Sequence, residues 1–177
     1  MRTELPTGTV TLVFTDIEGS TKLLHDLGAE AYAEALAEHR RLLREAYRRH
    51  GGVEVDTQGD AFFYAFPDAR EAVAAADEGR EALRPGPIHV RVGIHTGEPY
   101  IGPEGYVGQD VNLGARIGAA GHGGQVLISE ATRAVAGVAA DVLLDLGEHR
   151  LKDFDRPVPI LQLGAERFPP LKTISNT

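Results

Sequence analysis

Apolar and polar residues alternate in several short segments of the chain, which is the periodicity of a half-buried β-strand. Thr9–Asp16 and Ile88–Ile94 show this alternation most clearly. From Ala29 to about His50 the apolar residues instead recur every three or four positions, and two glycines follow. This second pattern predicts a long amphipathic helix that ends at Gly51.

Applied to the whole chain, the two periodicities predict a mixed order of strands and helices. The predicted strands are Thr9–Asp16, Val53–Asp56, Ala61–Phe66, Ile88–Ile94, Gln125–Ser129, Leu143–Lys152 and Val158–Leu163. The predicted helices are one that is N-capped by Ser20 or Thr21, then Ala29–His50, Asp68–Leu83, Asp110–Ala120 and Glu130–Val135, with a loop or short hairpin at Pro99–Gly108. Because strands and helices do not strictly alternate, we expect an α+β fold with helices packed on one face of a sheet.

Composition narrows the class of protein. The 177 residues are 42% hydrophobic, which is enough for one compact domain with a real core. We expect this domain to cover residues 1–168, followed by a flexible C-terminal tail at 169–177.

The chain has no cysteine, so disulfides, zinc–thiolate sites and cysteine nucleophiles are excluded. No apolar run approaches the roughly 20 residues that cross a bilayer, and Met1–Thr9 lacks a signal-peptide pattern. A cytoplasmic protein without a membrane partner is therefore expected.

The net negative charge of the chain argues against nucleic acid as a partner, and it would repel an anionic substrate. The chain has 26 acidic and 18 basic residues, for a net charge of −8. Nucleic-acid binding usually needs a basic surface, so none is expected here. A basic stripe on the long helix also contains glutamates, which is typical of a solvated helix face. Its arginines are Arg40, Arg41, Arg44, Arg48 and Arg49, with Glu34, Glu38 and Glu45 interleaved. An anionic substrate would need bound divalent cations to offset the acidic charge.

Two aspartates could supply such a cation site. Asp16 ends the first predicted strand, and Asp60 follows the tight turn at Thr57–Gly59 between the next two strands. A central sheet could bring these ends together as paired carboxylate ligands. The backbone N–H groups of Gly19–Thr21, at a helix start, would suit phosphates. The alternative is structural, because aspartate is common at strand ends and turns.

A second pair of polar residues lies on a predicted helix. Asn112 and Arg116 are four positions apart and so share one face. An amide beside a guanidinium suits the charge that develops on a phosphorus centre during transfer; the alternative is a solvated face. Gly114 and Gly118 of the same helix indicate close approach of the backbone, either at a dimer seam or against the sheet, and we favour the sheet.

Five segments, in this order, resemble motifs of the class III adenylate and guanylate cyclases. They are Phe14–Thr21 for the first metal motif, Gln58–Phe62 for the second metal hairpin, Arg91–Glu98 for the central strand, Val111–Arg116 for the transition-state helix and Leu146–Asp153 for the closing strand. The resemblance extends from about residue 9 to residue 163, which is nearly the whole chain.

The resemblance implies a fold and a reaction. The fold would be ferredoxin-like, with a mostly antiparallel central sheet, and the protein would act as a homodimer with active sites shared between subunits. A nucleoside triphosphate would be closed to a 3′,5′-cyclic nucleotide with release of pyrophosphate. The alternative is a catalytically silent nucleotide-binding or regulatory domain of the same fold.

The resemblance also implies roles for residues. Asp16, Asp60 and the Ile17 carbonyl would hold two Mg²⁺ or Mn²⁺ ions, which activate the ribose 3′-hydroxyl and grip the triphosphate. Asn112 would orient the ribose and Arg116 would stabilise charge at the α-phosphate, both from the partner subunit. The residues expected to bind the triphosphate are Glu18, Gly19, Ser20, Thr21 and Lys152.

Base recognition departs from the adenylate cyclase pattern. Asp56 stands where these enzymes usually carry a lysine, and Gly105 stands where they carry an aspartate. A carboxylate only accepts hydrogen bonds, so Asp56 matches the N1–H and 2-amino group of guanine better than the edge of adenine. Gln58 or Tyr106 could read the base instead. GTP and ATP are favoured, with pyrimidine nucleotides as a further alternative.

Overall fold

The computed structural model describes residues 4–173, which form nine strands, five α-helices and a short 3₁₀ turn at Ala140–Val142. The strands are β1 (Val10–Ile17), β2 (Val53–Gln58), β3 (Ala61–Phe66), β4 (Val90–Gly97), β5 (Tyr100–Gly102), β6 (Gly105–Val107), β7 (Val126–Ser129), β8 (Leu143–His149) and β9 (Val158–Leu163). The helices are α1 (Ser20–Leu27), α2 (Ala29–Arg49), α3 (Ala69–Leu83), α4 (Gln109–Ala119) and α5 (Glu130–Ala136). This order agrees with the sequence prediction, and the hairpin expected within Pro99–Gly108 is confirmed as β5 and β6.

Seven strands form one sheet in the order β2-β3-β1-β4-β7-β9-β8, and β5 and β6 pair separately. Every pairing in the large sheet is antiparallel except that of β4 with β7. The predicted α+β fold with a mostly antiparallel central sheet is thus confirmed. Strand β1 lies between β3 and β4, so its end sits in the middle of the sheet.

The helices do not all pack on one face of the sheet, and that part of the prediction is wrong. Val13 and Ile17 of β1 point into the larger core, together with buried residues of α2 and α3. The alternate residues Leu12 and Phe14 belong to the opposite face, where the ring of Phe14 packs against Gly114 of α4. Both faces of the central strands are therefore covered, which explains why Val92–Thr96 in β4 is buried without a break.

Glycines allow α4 to approach the sheet closely. A Cβ atom on Gly93 of β4 would lie 2.3 Å from the backbone nitrogen of Gly118. A Cβ on Gly114 would lie 2.7 Å from the ring of Phe14. The interpretation that Gly114 and Gly118 serve packing against the sheet is confirmed, and this contact places α4 directly beside the end of β1.

Three arginines of α2 form ion pairs at the surface. Arg41 pairs with glutamates of its own helix, Arg44 pairs with Glu54 of β2, and Arg49 pairs with Glu78 of α3. These contacts agree with the solvated helix face expected from the sequence. Within residues 4–173 no helix combines the length and the apolar composition that crossing a bilayer requires.

The residues expected to form a loose tail are fastened to the domain as far as Thr173. Leu171 packs on a small core cluster that includes Ile117 of α4. The backbone N–H of Lys172 donates to the carbonyl of Ala120, and its ammonium group contacts Glu18. This correction applies to the segment through Thr173, and residues 174–177 lie outside the described part of the chain.

Candidate active site

The pairing of β1 with β3 brings the two aspartates to one edge of the sheet. Thr15 is opposite Phe62, so Asp16 is level with Ala61, the residue directly after Asp60. Asp60 occupies the two-residue turn between β2 and β3. Asp16 and Asp60 are both half-buried. The register of the sheet therefore forms a carboxylate-bearing edge, which we call the metal edge: Asp16, the Ile17 carbonyl and Asp60.

Arg91 of β4 is the residue at this edge to which sequence reasoning gave no role. It is paired with Asp16 across the sheet, and its Nε and Nη2 donate to the two Asp16 carboxylate oxygens at 2.5 and 3.0 Å. The hydrogen bond to Asp16 raises the pKa of Arg91, and the charges of Glu18 and Asp60 add to this effect. Arg91 thus neutralises part of a negative site whose members come from three different segments.

The donor atoms at the metal edge suit Mg²⁺ or Mn²⁺. Carboxylate and carbonyl oxygens are the ligands that these hard cations prefer. Nowhere in residues 4–173 do three His, Cys, Asp or Glu side chains gather closely enough to hold a metal by themselves. A cation at Asp16 and Asp60 would therefore complete its coordination with the Ile17 carbonyl, water and substrate phosphates, which is how Mg²⁺ commonly binds.

The turn after β1 differs in detail from the prediction. The N-cap of α1 is Gly19, in the left-handed conformation with φ of 68°, and not Ser20 or Thr21. Glycine adopts this conformation without steric cost, so the chain can turn sharply between the metal edge and the helix. The first N–H groups of α1 have no acceptor within the helix. The start of α1 at Ser20 and Thr21 therefore offers donors suited to phosphate.

The carboxylate of Glu18 is already engaged within the chain. It accepts hydrogen bonds from the Gly123 N–H at 3.0 Å and from His122 Nδ1 at 3.1 Å, and it contacts the Lys172 ammonium. Burial alone would raise the pKa of Glu18, but these donors outweigh it and lower the pKa to about 2. An ionised carboxylate also repels phosphate. Glu18 therefore anchors the turn, and any phosphate contact from this residue is left to its backbone N–H.

A cavity of about 280 Å³ opens beside the metal edge. Its floor is apolar, with the rings of Phe14 and Phe63 stacked at 4.3 Å between centroids. The polar residues that line it are Thr15, Asp16, Asp56, Gln58 and Arg91. The cavity joins a flat aromatic floor to the metal edge, which are the two environments that a nucleoside triphosphate requires.

Asp56 and Gln58 are brought together at the rim of this cavity. One Asp56 oxygen accepts from the Thr57 N–H at 2.8 Å, and the other accepts from the Gln58 side-chain amide at 3.0 Å. Because Gln58 uses its amide group here, its carbonyl oxygen is left as a further acceptor. The pair thus presents mainly hydrogen-bond acceptors to a ligand.

The structure does not support base reading by Tyr106. Its side chain is buried against Phe63, and its hydroxyl donates to the Pro6 carbonyl at 2.6 Å. Gly105 lies with it in the β5–β6 hairpin and lines a different cavity from the one at Asp56. The hydroxyl of Tyr106 is therefore used to hold the N-terminal segment.

The second predicted pair lies apart from the metal edge. Asn112 is exposed on α4, and Arg116 is half-buried, with its Nη2 donating to Asp153 at 2.9 Å. Lys152 is exposed and directly precedes Asp153, so it lies near the same face of α4. Neither Asn112 nor Arg116 lines the cavity at the metal edge, although Ala115 and Ala119 of α4 do. Within one chain, the two halves of the predicted site do not meet.

Comparisons with known proteins agree with this architecture. A model of the adenylate and guanylate cyclase catalytic domain matches residues 3–152. An uncharacterized protein of Mycobacterium tuberculosis is 42% identical over 182 residues, covering 97% of this chain and 63% of the relative. The chain thus spans about 63% of the length of that relative.

Two solved structures share the fold. An adenylate cyclase structure from Trypanosoma brucei, described as monomeric, has a TM-score of 0.83 at 29% identity and covers 97% of both chains. The guanylyl cyclase Cya2 has a TM-score of 0.78 at 28% identity, with 93% of this chain and 96% of that chain covered. Because the matched domain includes the metal edge and α4, this chain belongs to the adenylate and guanylate cyclase catalytic domain family.

Proposed function

We propose that this protein is a nucleotidyl cyclase that converts a nucleoside triphosphate to a 3′,5′-cyclic nucleotide and pyrophosphate, with two Mg²⁺ or Mn²⁺ ions at a homodimer interface. One observation carries the proposal. Asp16, Arg91 and the turn that bears Asp60 meet at one sheet edge, beside a cavity with an aromatic floor. This edge combines cation ligands, a guanidinium and a surface for a base within reach of one small molecule.

The residues of the metal edge bind and orient the triphosphate. The bound cations would supply charge neutralisation for the polyphosphate and a lowered pKa for the ribose 3′-hydroxyl. Asp16, Asp60 and the Ile17 carbonyl hold that charge in place, and the N–H groups at Ser20 and Thr21 add phosphate donors. A net charge of −8 is thereby compatible with an anionic substrate.

Asn112 and Arg116 complete the site from a second subunit. Asn112 is exposed and Arg116 is half-buried on α4, and neither lines the cavity of its own chain, which supports contact with a partner. Asn112 would orient the ribose and Arg116 would stabilise charge at the α-phosphate, where a charged donor is most effective. Lys152, near the same face, would contact the triphosphate.

GTP is the substrate that the cavity rim supports best. The acceptor oxygens of Asp56 and Gln58 match a base edge that donates, and guanine offers N1–H and its 2-amino group together. ATP is the second candidate, because adenylate cyclases are among the similar structures. The pair of residues that usually reads adenine is replaced here by Asp56 and Gly105.

A substrate panel tests the activity and the choice of base. Purified protein is incubated with ATP, GTP, UTP or CTP and Mn²⁺, and both pyrophosphate and the cyclic product are measured. We expect GTP to give the highest kcat/KM. Nucleotide binding without product from any of the four would instead support the catalytically silent alternative.

Mixing two inactive variants tests the shared site. Asp60→Ala disables the metal edge, and Arg116→Ala disables the face of α4, so each homodimer should be inactive. A heterodimer would contain one intact site, so the mixture should recover up to about a quarter of wild-type activity by statistics of two-fold assembly. No recovery would contradict a site shared between subunits.

A further inference from the structure

A buried histidine and an aspartate join the start of α4 to the central sheet. Nε2 of His95 on β4 and Oδ1 of Asp110, in the first turn of α4, are 2.8 Å apart. His95 is only 6% exposed. A carboxylate only accepts, so Nε2 donates to Asp110, and Nδ1 is hydrogen-bonded to the Ser129 hydroxyl at 2.8 Å. The orientation of the imidazole is thus held from both sides.

The other oxygen of Asp110 is held by the end of the same strand. Oδ2 accepts from the Glu98 N–H at 3.2 Å. A Cβ on Gly97 would lie 2.1 Å from this oxygen, so the carboxylate can lie here only because Gly97 has no side chain. Three neighbouring positions of the chain, His95, Gly97 and Glu98, thus form a seat for one carboxylate.

The seat fixes the start of α4 on β4. A second set of contacts lies near the other end of the helix, where Gly118 packs on the backbone of Gly93 and Arg91 Nη1 donates to the Ala119 carbonyl at 3.1 Å. Asn112 and Arg116 lie between these two contacts along α4. Asp110 and Asn112 are two residues apart, which is about 200° around a helix, so holding Asp110 toward the sheet turns Asn112 outward.

Helix stability alone does not account for the arrangement. An aspartate in the first turn interacts favourably with the helix dipole even without a specific partner. Glu130 at the start of α5 is such a residue, because it is exposed and, among residues 4–173, forms its ion pair with Arg133 of its own helix. Asp110 instead bonds a buried side chain and a backbone N–H of another element, which determines position as well as stability.

We infer that His95 and Asp110 are positioning residues, which hold α4 so that Asn112 and Arg116 reach the metal edge of the partner subunit. The inference rests on the proposed function, because it requires a site shared by two chains. It predicts that damage to the seat affects only the half-site that α4 contributes, and that the metal edge of the same chain stays competent.

Asp110→Ala and His95→Gln are the test variants. We expect each to lower kcat about 10- to 100-fold, because a displacement near 1 Å of a positioned group has this effect. Asp110→Asn, which keeps one acceptor oxygen, should recover part of the loss. Glu130→Ala is the matched control, since it removes an acidic residue from the first turn of α5, and it should leave kcat unchanged. Wild-type kcat in Asp110→Ala would overturn the inference.

Subunit mixing separates a positioning role from a general defect. Asp110→Ala mixed with Asp60→Ala should recover activity, because the heterodimer joins the sound metal edge of one chain to the sound α4 of the other. Asp110→Ala mixed with Arg116→Ala should not recover, because both damage the same half-site. Recovery in the second mixture, or in neither, would overturn the inference.

The mixture of Asp60→Ala with Arg116→Ala distinguishes a failure of the shared site from a failure of the positioning role. If that mixture fails to recover, the shared site is contradicted, and the inference falls with it. If it recovers while the Asp110→Ala mixtures do not follow the expected pattern, only the inference is contradicted. Should Asp110→Ala not fold, Gly97→Ala displaces the same carboxylate by steric contact, and the same pattern of recovery is expected from it.

Discussion

The metal edge and the exposed face of α4 carry similar numbers of polar residues but are built in different ways. At the metal edge, Asp16 is half-buried and bonded through both oxygens to Arg91. On α4, Asn112 is exposed, and Arg116 has an ion pair with Asp153, whose side chain is 63% exposed. One half of the site is assembled by contacts inside the chain, and the other half lies on the surface of α4.

The two halves differ because only the metal edge must offset repulsion between its own charges before a ligand binds. Carboxylates close together repel one another, so the metal edge needs a cation in the folded chain, and Arg91 provides it. The α4 face has no such repulsion to offset, so its side chains can stay in water. A substitution can therefore disturb one half and leave the other intact.

The largest effect is expected at the metal edge itself. Asp16→Asn removes a charged cation ligand and leaves Arg91 with a neutral partner. We expect turnover to fall by about a thousandfold or more, which corresponds to roughly 4 kcal/mol of transition-state stabilisation. Product formation and Mn²⁺ binding by calorimetry measure the two consequences separately.

The matched control for this variant is Asp141→Asn in the exposed 3₁₀ turn. It makes the same chemical change away from both halves and should leave turnover and Mn²⁺ binding unaltered. Tight Mn²⁺ binding by Asp16→Asn would contradict the assignment of Asp16 as a ligand.

The next largest effect is expected where α4 packs on β4, because this contact joins the two regions. Gly93→Ala places a methyl group 2.3 Å from the backbone of Gly118, so α4 must move away from β4. Overpacking of this kind costs about 1–3 kcal/mol of stability. Urea unfolding measures the loss, and Gly86→Ala, where the nearest atom is 3.8 Å away, is the control that should show little change.

Acid should destabilise the folded domain through two carboxylates outside the metal edge, those of Glu54 and Glu18. Burial would raise the pKa of Glu54, but hydrogen bonds from Arg44, Thr57 and Tyr64 outweigh it and lower the pKa to about 2; Glu18 is lowered to a similar value. A carboxyl whose pKa is depressed on folding contributes stability above its unfolded value, near pH 4.5, and loses it as the pH falls toward 2.

The urea midpoint should therefore decline as the pH is lowered from 6 to about 3. Glu54→Gln should have a lower midpoint at pH 6 and a flatter decline, because the variant lacks one of the groups that titrate. Glu104→Gln, in the exposed turn between β5 and β6, should keep the wild-type slope. An unchanged slope in Glu54→Gln would show that this carboxylate is not linked to folding.

The smallest effect is expected from releasing Arg116. Asp153 has a positive φ of 73°, a conformation that asparagine tolerates, so Asp153→Asn removes the charge without backbone strain. An exposed ion pair contributes about 0–1 kcal/mol, so stability should barely change. Because Arg116 would no longer have to leave Asp153, kcat should rise a few-fold, and Asp155→Asn serves as the exposed neighbouring control.

Much of the fold could be predicted from local patterns. The alternation in Thr9–Asp16 and Ile88–Ile94 located the ends of β1 to within one residue and those of β4 to within three, because side chains in a strand repeat every second position. The placement of α4 on the opposite face could not be predicted in this way. Periodicity shows which side of a helix is apolar but not which face of a sheet it covers.

The candidate site likewise has residues that local motifs identify and residues whose contacts local motifs do not predict. Asp16, Asp60, Asn112 and Arg116 were identified from local motifs, because each motif places its residue on a strand end, a turn or a helix face. Arg91 received no role, and Tyr106 received one that its bond to Pro6 does not support. Nothing near Arg91 or Tyr106 in the chain indicates these partners.

The sequence by itself determined the secondary structure, the acidic charge and the identity of the groups that can bind a cation or a phosphate. Only the tertiary structure decided which of those groups meet. Asp16 and Arg91 are 75 positions apart, and Asp110 reaches His95 only because two strands and a helix are packed together. Local propensity acts over a few residues, whereas the strength of a charge or hydrogen bond depends on distance in space and on burial, and these exist only once the chain has folded.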